Sequence, residues 1–408
     1  MEFFTLDDFE FEGKTTLVRV DINSSMDPGS GRILASERIE SHSETVRELS
    51  EKGARVVVMS HQGRVGDPDF LPLKPHAELL ASYVKKDVEY VDDIFGSNAL
   101  GKIKAMRNGD ILLLENVRFL AEETIEKPGE AHAKSVFVKT LAPHADYFVL
   151  DAFSAAHRPH CSIIGFAYVL PTCAGRVMER EIKSLSKAVE NPKKPLTLIA
   201  GGVKAEDTMQ IIEYWLGRGI LDRVLTGGAI GNIFLAAEGR DLGVPTTKFL
   251  VQKGLDKYIP KAKELLAKYD GKIQVPVDFA FEKNGERVEQ DVIQLPSAAP
   301  IKDIGSETAR RYSDFIRQSN TIIMNGPMGV YEDANFSKGT ELVLRAIANS
   351  GAFSLLGGGN TVDAVGKLKL DAKNFSYMSL AGKAFIEFLM GMQLPGIKAL
   401  EDAYKRGR

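Results

Sequence analysis

The sequence predicts an α/β protein with two doubly wound parallel-sheet (Rossmann-like) domains, joined by a long helix, with a cleft between them. Two observations carry this prediction. Short apolar runs alternate with segments of helical spacing, which is typical of parallel sheets covered by helices. The runs of the first half end in basic side chains, and those of the second half end in glycines. A chain of 408 residues is long enough for two domains with separate cores.

The first half contains four strand-like runs, at 15–20, 54–60, 110–114 and 146–151, with helical segments such as 39–52 and 73–85 between them. Carboxyl ends of parallel strands share one edge of the sheet, so side chains that follow these runs should converge there. The basic side chains concerned are His61, Arg64, Arg118, His157 and Arg158, and Arg38 lies in a loop, 31–39, that can lean over the same edge. A single arginine usually lies on the surface in contact with solvent. Basic residues that recur after successive strands predict an anion-binding site instead.

Arginine is suited to such a site because its planar fork binds phosphate and carboxylate through two hydrogen bonds. The first half is therefore expected to bind a small anion with several charges. The segment 171–192 follows, and its apolar residues Met178, Ile182, Leu185 and Val189 share one helical stripe before Asn191-Pro192. We expect one helix here that joins the halves, with a plain surface helix at a domain edge as the alternative.

In the second half, the strand-like runs at 196–200, 223–226, 321–325, 352–356 and 375–379 all lead into glycine-bearing turns. Glycines let the backbone approach a ligand, and helix amino termini attract phosphate. One such turn alone is equally well explained as a tight strand-to-helix connection with a solvated lysine, Lys204. Five together predict a nucleotide site.

Composition narrows the function further. The formal net charge is −3 and the chain has only two cysteines, so we expect no nucleic-acid or membrane partner and a reducing compartment. The acidic amino terminus lacks a secretory signal pattern, which predicts a cytoplasmic protein. Neither GxxxxGK[ST] nor a dinucleotide fingerprint is present, which argues against a dehydrogenase. A basic anion site and a nucleotide site indicate phosphoryl transfer without a nucleophilic triad or a general base.

Eight segments, in order, carry a resemblance to a known family: LVRVDIN, SERIE, SHQGR, LLLENVRF, DAFSAAHR, AGGVKAEDT, NGPMGVYE and LLGGGNT. The chain resembles phosphoglycerate kinase, nearest to its archaeal branch, over essentially residues 1–400. The resemblance implies reversible phosphoryl transfer from 1,3-bisphosphoglycerate to Mg-ADP, giving 3-phosphoglycerate and Mg-ATP. It also implies domains at 1–170, completed by a tail at 394–408, and at 193–393, in a monomer or weak homodimer.

The resemblance assigns site residues by position. Arg38 and Lys204 would neutralise the phosphoryl group during transfer. The glycerate would be bound by Asp21, Ile22, Asn23, Arg38, His61, Gln62, Gly63, Arg64, Arg118, His157 and Arg158. The nucleotide would be bound by Gly202, Lys204, Gly227, Gly228, Asn325, Glu332, Gly357, Gly358, Gly359, Asn360, Thr361, Gly382 and Lys383, with Asn360 beside the magnesium ion.

Three positions depart from the family pattern. Asn360 stands where many members have aspartate, and Thr208 stands where many have a second lysine. Lys383 is an added cation, and we hypothesise that it replaces the charge missing at 208; a lysine that points to solvent is the alternative. Because these changes lie on the nucleotide side, a binding protein that transfers poorly is the second functional class, whereas retention of Arg38 and Lys204 favours an active kinase.

Overall fold

The structure is a computed structural model that describes residues 1–27, 29–190 and 192–407. The chain forms two compact units. The first unit is Met1–Lys183 with Met392–Arg408, and the second is Ser184–Gly391. Each unit contains a six-stranded parallel sheet with helices along it, so the predicted fold class of two doubly wound α/β domains is confirmed.

The sheet of the first unit has the strand order β3-β4-β2-β1-β5-β6, and every adjacent pair is parallel. Its strands are β1 (Thr15–Arg19), β2 (Arg55–Met59), β3 (Glu89–Tyr90), β4 (Ile111–Leu113), β5 (Tyr147–Leu150) and β6 (Thr172–Ala174). The central strands are buried on both faces, as expected for near-continuous apolar runs covered by helices.

The helices of this unit are α1 (Glu37–Glu51), α2 (Lys74–Val84), α3 (Ser97–Ala105), α4 (Gly129–His132) and α5 (Val136–Leu141). Helix α1 begins where the side chain of Ser36 accepts a hydrogen bond from the amide of Ile39, an N-cap that fixes the position of Arg38 in the first turn. Apolar side chains such as Val46, Leu49 and Leu80 bury the helices against the sheet.

The predicted joining helix is shorter in the structure than the segment 171–192. Residues 172–174 form strand β6, and helix α6 covers Arg176–Val189. Asp151 sets its start, because its buried carboxylate accepts hydrogen bonds from the amides of Val177 (2.8 Å) and Met178 (3.0 Å). The division between the units falls inside α6, after Lys183. Asn191, predicted to close this helix, and Arg408, the end of the predicted tail, lie outside the described residues.

The second unit has a parallel sheet of order β15-β14-β13-β7-β8-β9 and a separate antiparallel sheet of order β11-β10-β12. The strands in chain order are β7 (Leu196–Ala200), β8 (Arg223–Thr226), β9 (Ile273–Gln274), β10 (Asp278–Lys283), β11 (Glu286–Asp291), β12 (Ile301–Ile304), β13 (Thr321–Asn325), β14 (Phe353–Gly357) and β15 (Tyr377–Ser379). The antiparallel sheet was not predicted.

The helices that follow complete the architecture. In the second unit they are α7 (Ala205–Gly217), α8 (Gly228–Ala237), α9 (Val244–Gln252), α10 (Ile259–Lys268), α11 (Ser306–Arg317), α12 (Lys338–Ala348), α13 (Gly359–Lys367) and α14 (Gly382–Leu389). The last helix, α15 (Pro395–Lys405), belongs to the first unit, where the amide of Gly396 donates to the carbonyl of Ala156 at 2.9 Å. No helix within the described ranges is long and apolar enough to span a membrane.

Each parallel sheet changes its winding direction at one point. In the first unit the chain moves outward from β1 to β2 on one side and from β5 to β6 on the other. In the second unit the corresponding pair is β7 and β13. Open α/β sheets bind ligands beyond the carboxyl ends of the strands at such a point. The two candidate sites below lie there.

Candidate active site

Asp21 connects the loops after β1 and β5, the neighbouring strands at which the first sheet changes its winding direction. It follows β1, and its Oδ2 accepts hydrogen bonds from the hydroxyl of Ser154, beyond β5, and from Nη1 of Arg38 at 2.9 Å. Its side chain is only 3% exposed. Burial alone would raise the pKa of Asp21, but Arg38 and the Ser154 hydroxyl hold it below its usual value. The carboxylate is therefore ionised and positions the Arg38 guanidinium.

His61 lies beside Asp21 and is nearly buried. Nη2 of Arg19 donates to its Nδ1 at 3.1 Å. Burial lowers the pKa of His61 well below its usual value, and the charges of Arg19 and Arg118 add to this effect. A guanidinium can only donate, so Nδ1 accepts and Nε2 carries the proton of the neutral ring. His61 thus offers one N–H donor that suits an anion.

Arg118 and Arg158 are held close together with few acids to balance them. Burial, with the positive charges of Arg158 and Arg19, lowers the pKa of Arg118 to about 10. Burial and Arg64 lower the pKa of Arg158 in the same way. Arg118 donates to the carbonyl of Gly63, and Nε of Arg158 lies 3.1 Å from Nε2 of His157. Arg64 is exposed. A bound anion would relieve the repulsion between these guanidinium groups.

The remaining predicted residues of this unit shape the loops. Oδ1 of Asn23 accepts the amide of Gly63 at 3.0 Å. Gly63 has φ +65°, and a Cβ there would lie 2.3 Å from the carbonyl oxygen of Asp69. The side chain of Ile22 is fully buried in the core. Only glycine fits at 63, which explains why the loop carries it.

Gln62 lies behind the site and its side chain is fully buried. Its carboxamide accepts from the amide of Ser24 and donates to the carbonyl of Ser24, both at 2.9 Å. His76 completes the arrangement, because its Nε2 lies 3.0 Å from Oε1 of Gln62. The prediction placed Gln62 among the ligands of the glycerate, but in the structure its side chain holds the loop after β1 to the end of β2.

His76 gives a pH-dependent stability. Burial lowers its pKa to about 4, whereas a histidine in an unfolded chain titrates near pH 6.5. Between these values the unfolded chain binds a proton that the folded chain does not, so the free energy of unfolding falls as the pH is lowered through this window, by up to roughly 3 kcal/mol. We expect His76→Leu to flatten this slope in urea titrations between pH 4.5 and 7, and His144→Leu serves as the control. An unchanged slope in His76→Leu would contradict the assignment.

In the second unit the strand-end glycines pack against one another. The amides of Gly202 and Gly228 donate to the carbonyls of Pro327 (2.8 Å) and Met328 (2.7 Å), and the amide of Gly227 donates to Ala200 (3.0 Å). A Cβ on Gly227 would lie 2.6 Å from the sulfur of Met328. The sequence predicts that such amides contact a polyphosphate directly. In the structure these three amides hold the loops together instead.

Helix amino termini supply the positive ends at this edge. Helices α7, α8, α13 and α14 follow strands of the parallel sheet, and none of the four has a side-chain N-cap bond. Their N-cap residues are Lys204, Gly227, Gly358 and Ala381. The first amides of an α-helix have no partner within the helix, and the macrodipole places partial positive charge there. These helix ends can bind phosphate groups.

The start of α13 is tied to the end of β13. Oγ1 of Thr361 accepts the amide of Gly326 at 2.9 Å, so the Thr361 side chain is used within the protein. Gly358 has φ +86°, and a Cβ there would lie 2.9 Å from Oδ1 of Asn325. A Cβ on Gly357 would overlap the ring of Phe385. Gly359 is exposed at the helix start, as is its neighbour Asn360.

An open pocket of about 210 Å³ lies beside these turns. Residues of the strand-end turns, of helix α8 and of the antiparallel sheet line this pocket. Its lining includes Gly202, Gly228, Asn232, Pro276, Phe279, Ile301, Glu332 and Asn360. The predicted residues Gly202, Gly228, Glu332 and Asn360 are thus brought together in the structure.

The side chains of Lys204, Thr208 and Lys383 differ in their surroundings. The Lys204 side chain is exposed, while its carbonyl accepts the hydroxyl of Thr208 at 2.9 Å. Thr208 is only 2% exposed, so its side chain does not extend into solvent as the Lys204 side chain does. Lys383 stands in the first turn of α14 after Gly382, with Nζ 3.4 Å from Oε1 of Glu387. Glu387 therefore competes with any phosphate for Lys383.

Comparison with known proteins decides the family. The model of the family described as phosphoglycerate kinase matches residues 6–392. The chain belongs to the phosphoglycerate kinase family. The phosphoglycerate kinase of Methanothermus fervidus is 45% identical over 405 residues, which cover 99% of this chain and 98% of that relative. The phosphoglycerate kinase of Methanopyrus kandleri is 46% identical over 97% of each chain.

A solved structure agrees with the sequence relatives. The crystal structure of phosphoglycerate kinase from Pyrococcus horikoshii OT3 matches with a TM-score of 0.92 and 40% sequence identity, covering 99% of this chain and 100% of that one. The predicted activity is confirmed: a kinase that transfers a phosphoryl group to the carboxyl group of 3-phosphoglycerate. Nothing in these comparisons supports the alternative of a binding protein that transfers poorly.

Sequence reasoning missed three polar residues that are linked to the candidate site of the first unit. Arg19 is fully buried, and its Nε donates to the hydroxyl of Ser162 at 2.7 Å. Ser162 donates in turn to Glu123 at 2.7 Å, and burial raises the pKa of Glu123. A charged residue inside the apolar run of β1 was the available signal, since a buried arginine needs partners.

Proposed function

We propose that the first unit of this phosphoglycerate kinase binds the glycerate and the second binds the nucleotide. The observation that carries the proposal is the excess of guanidinium groups at the winding change of the first sheet. The five arginines there are Arg19, Arg38, Arg64, Arg118 and Arg158. The carboxylates near them are those of Asp21 and Glu123. An anion with a phosphate and a carboxylate would satisfy donors that the protein leaves unneutralised.

The chemistry follows from the charges of the reactants. A β-phosphate oxygen of ADP attacks the phosphorus of the acyl phosphate, and the bond from phosphorus to the carboxyl oxygen breaks to release a carboxylate. No proton is transferred, so no general base is required. The protein must position the two reactants and neutralise charge on the phosphoryl oxygens. We assign that role to Arg38 and Lys204.

Family members use a magnesium nucleotide, and we propose that the metal arrives on the nucleotide. Within the described ranges, no group of three or more histidine, cysteine, aspartate or glutamate side chains could hold a metal ion. Mg²⁺ commonly keeps phosphate oxygens and water as ligands, so this donor set fits a nucleotide-borne ion. Asn360, exposed in the pocket, would offer one neutral oxygen. The bound ion would neutralise phosphate charge.

A substitution in the first unit tests whether the two substrates bind to different units. We expect Arg158→Ala to raise the KM for 1,3-bisphosphoglycerate at least about tenfold, because charge-assisted hydrogen bonds contribute about 1.5–3 kcal/mol. The KM for ADP should stay within about twofold. The measurement is a coupled assay of ATP formation with each substrate varied in turn. An equal rise in both KM values would contradict the assignment of this unit to the glycerate.

Lys383 tests the hypothesis of a replacement cation. We expect Lys383→Ala to raise the KM for ADP by about two- to fivefold, a small effect because Glu387 competes and the side chain is 68% exposed. Glu387→Gln is the matched variant and should leave the KM unchanged or lower it. Unchanged ADP kinetics in Lys383→Ala would leave Lys383 as a surface residue.

We propose that the protein is cytoplasmic and a monomer or weak homodimer, with no nucleic-acid or membrane partner. Both cysteines, Cys161 and Cys173, are free and buried, which suits a reducing compartment. Sedimentation equilibrium between 1 and 100 µM protein measures the oligomeric state directly.

A further inference from the structure

Asn232 is an unusual polar residue in the pocket of the second unit. It lies on α8, is only 5% exposed and lines the pocket. Among the described residues, no side chain or backbone group hydrogen-bonds with its carboxamide. Buried amides in folded proteins nearly always have hydrogen-bond partners, and an exception calls for a ligand. The carboxamide of Asn232 is therefore free to bind whatever fills the pocket.

Apolar side chains accompany Asn232 in the pocket lining. Ala229 and Leu235 lie three residues before and after it, on the same helical face. The lining also contains Phe249, Pro276, Phe279 and Ile301. Such apolar side chains suit an aromatic base, whereas a phosphate requires hydrogen-bond donors or cations.

The other buried polar groups of the pocket are already engaged by the protein. Asp278 accepts the amides of Glu307 and Thr308 at 2.9 and 2.8 Å. Asp303 accepts Nη1 of Arg287 at 2.8 Å. The hydroxyl of Tyr331 donates to Asp363 at 2.7 Å. Asn232 is thus the buried side chain in this lining that offers both a donor and an acceptor to a ligand.

We propose that Asn232 determines base specificity by hydrogen-bonding the amino-substituted edge of the adenine base of the nucleotide. Its Oδ1 accepts from the exocyclic amino group, and its Nδ2 donates to the adjacent ring nitrogen, a pairing that asparagine makes with adenine elsewhere. The inference rests on the proposed assignment of this pocket to the nucleotide. A matched pair of this kind distinguishes bases by about five- to 150-fold.

The test compares ADP with purine riboside diphosphate, which lacks the amino group. We expect the native enzyme to have a KM about tenfold lower for ADP, and Asn232→Leu to bring the two KM values within about twofold. Asn232→Asp keeps an acceptor for the amino group and should retain a preference for ADP. The kcat at saturation and the KM for 1,3-bisphosphoglycerate should stay within about threefold in both variants, and Asn349→Leu, at the exposed C-cap of α12, is the control.

Two outcomes would overturn the proposal: a native enzyme that does not distinguish the two nucleotides, or Asn232→Leu with the native ratio. Ala229→Leu separates these from failure of the pocket assignment, because it reduces the space in the pocket and keeps the carboxamide of Asn232. Loss of ADP affinity in Ala229→Leu with a native ratio in Asn232→Leu rejects the role of Asn232 alone. Native ADP affinity in Ala229→Leu rejects the pocket itself. Thermal unfolding verifies that each variant is folded.

Discussion

Replacing Arg38 with alanine is expected to lower kcat by about 10³- to 10⁵-fold, the range for an arginine that stabilises a phosphoryl-transfer transition state. The structure explains why the side chain is ready for this role. Ser36 caps the helix that carries it, and Asp21 holds its Nη1 at 2.9 Å from a buried carboxylate. Little reorganisation is then needed as charge develops on the phosphoryl oxygens. The measurement is kcat for ATP formation under saturating substrates.

A second variant separates catalysis from stability. Arg38→Ala leaves the buried Asp21 carboxylate without its guanidinium, which is destabilising in itself. Adding Asp21→Asn removes that unpaired charge, so the double variant should regain stability against urea but not turnover. Arg38→Lys keeps the charge and loses the planar fork, and an intermediate kcat is expected. A loss of less than tenfold in Arg38→Ala would reject the assigned role.

The parallel sheets could be predicted because their strands are short, buried and bounded by turns. The runs at 196–200, 223–226 and 321–325 coincide with the observed strands β7, β8 and β13. Fully buried strands require apolar residues on both faces, so their apolar runs can be recognised without knowledge of the fold. The converging basic residues were predictable for the same reason, since strand direction places all carboxyl ends at one edge.

The antiparallel sheet was missed although the sequence carries a hairpin signal. Strands β10 and β11 are joined by Asn284-Gly285, with φ +53° and +81°, as in a type I′ turn. Strand β11, with the sequence ERVEQD, is mostly charged and only half-buried, so it lacks the apolar pattern that revealed the other strands. The omission matters because β10 and β12 of this sheet contribute Phe279 and Ile301 to the pocket lining.

The finer assignments could not be predicted because they depend on which atoms are already bonded. Gln62 follows β2 as His61 does, yet its carboxamide is used on Ser24. The amides of Gly202 and Gly228 are used on neighbouring loops. Asn232, in contrast, looks like an ordinary helix residue in the sequence. Spacing predicts which residues gather at an edge, and only the three-dimensional packing shows which of their donors remain available.

Replacing Lys204 with alanine is expected to lower kcat by about 10²- to 10³-fold, the cost of removing one donor aimed at developing charge. Its backbone is fixed, because its carbonyl accepts the amide and hydroxyl of Thr208 at 3.2 and 2.9 Å. Its ammonium is exposed and has no acid partner among the described residues. The free energy of unfolding should therefore change by less than about 0.5 kcal/mol.

The combination of a large loss in turnover with native stability is what distinguishes Lys204 from a surface lysine. Lys263→Ala, at an exposed position of α10, is the matched control and should leave both quantities unchanged. Thr208→Ala removes the hydroxyl that bonds the Lys204 carbonyl, and a smaller loss of kcat is expected if this bond orients the lysine. Because the reaction needs no proton transfer, the loss in Lys204→Ala should be the same at pH 6.5 and pH 8.5. A kcat within fivefold of the native value would remove Lys204 from the mechanism and leave charge neutralisation to Arg38 and the helix amino termini.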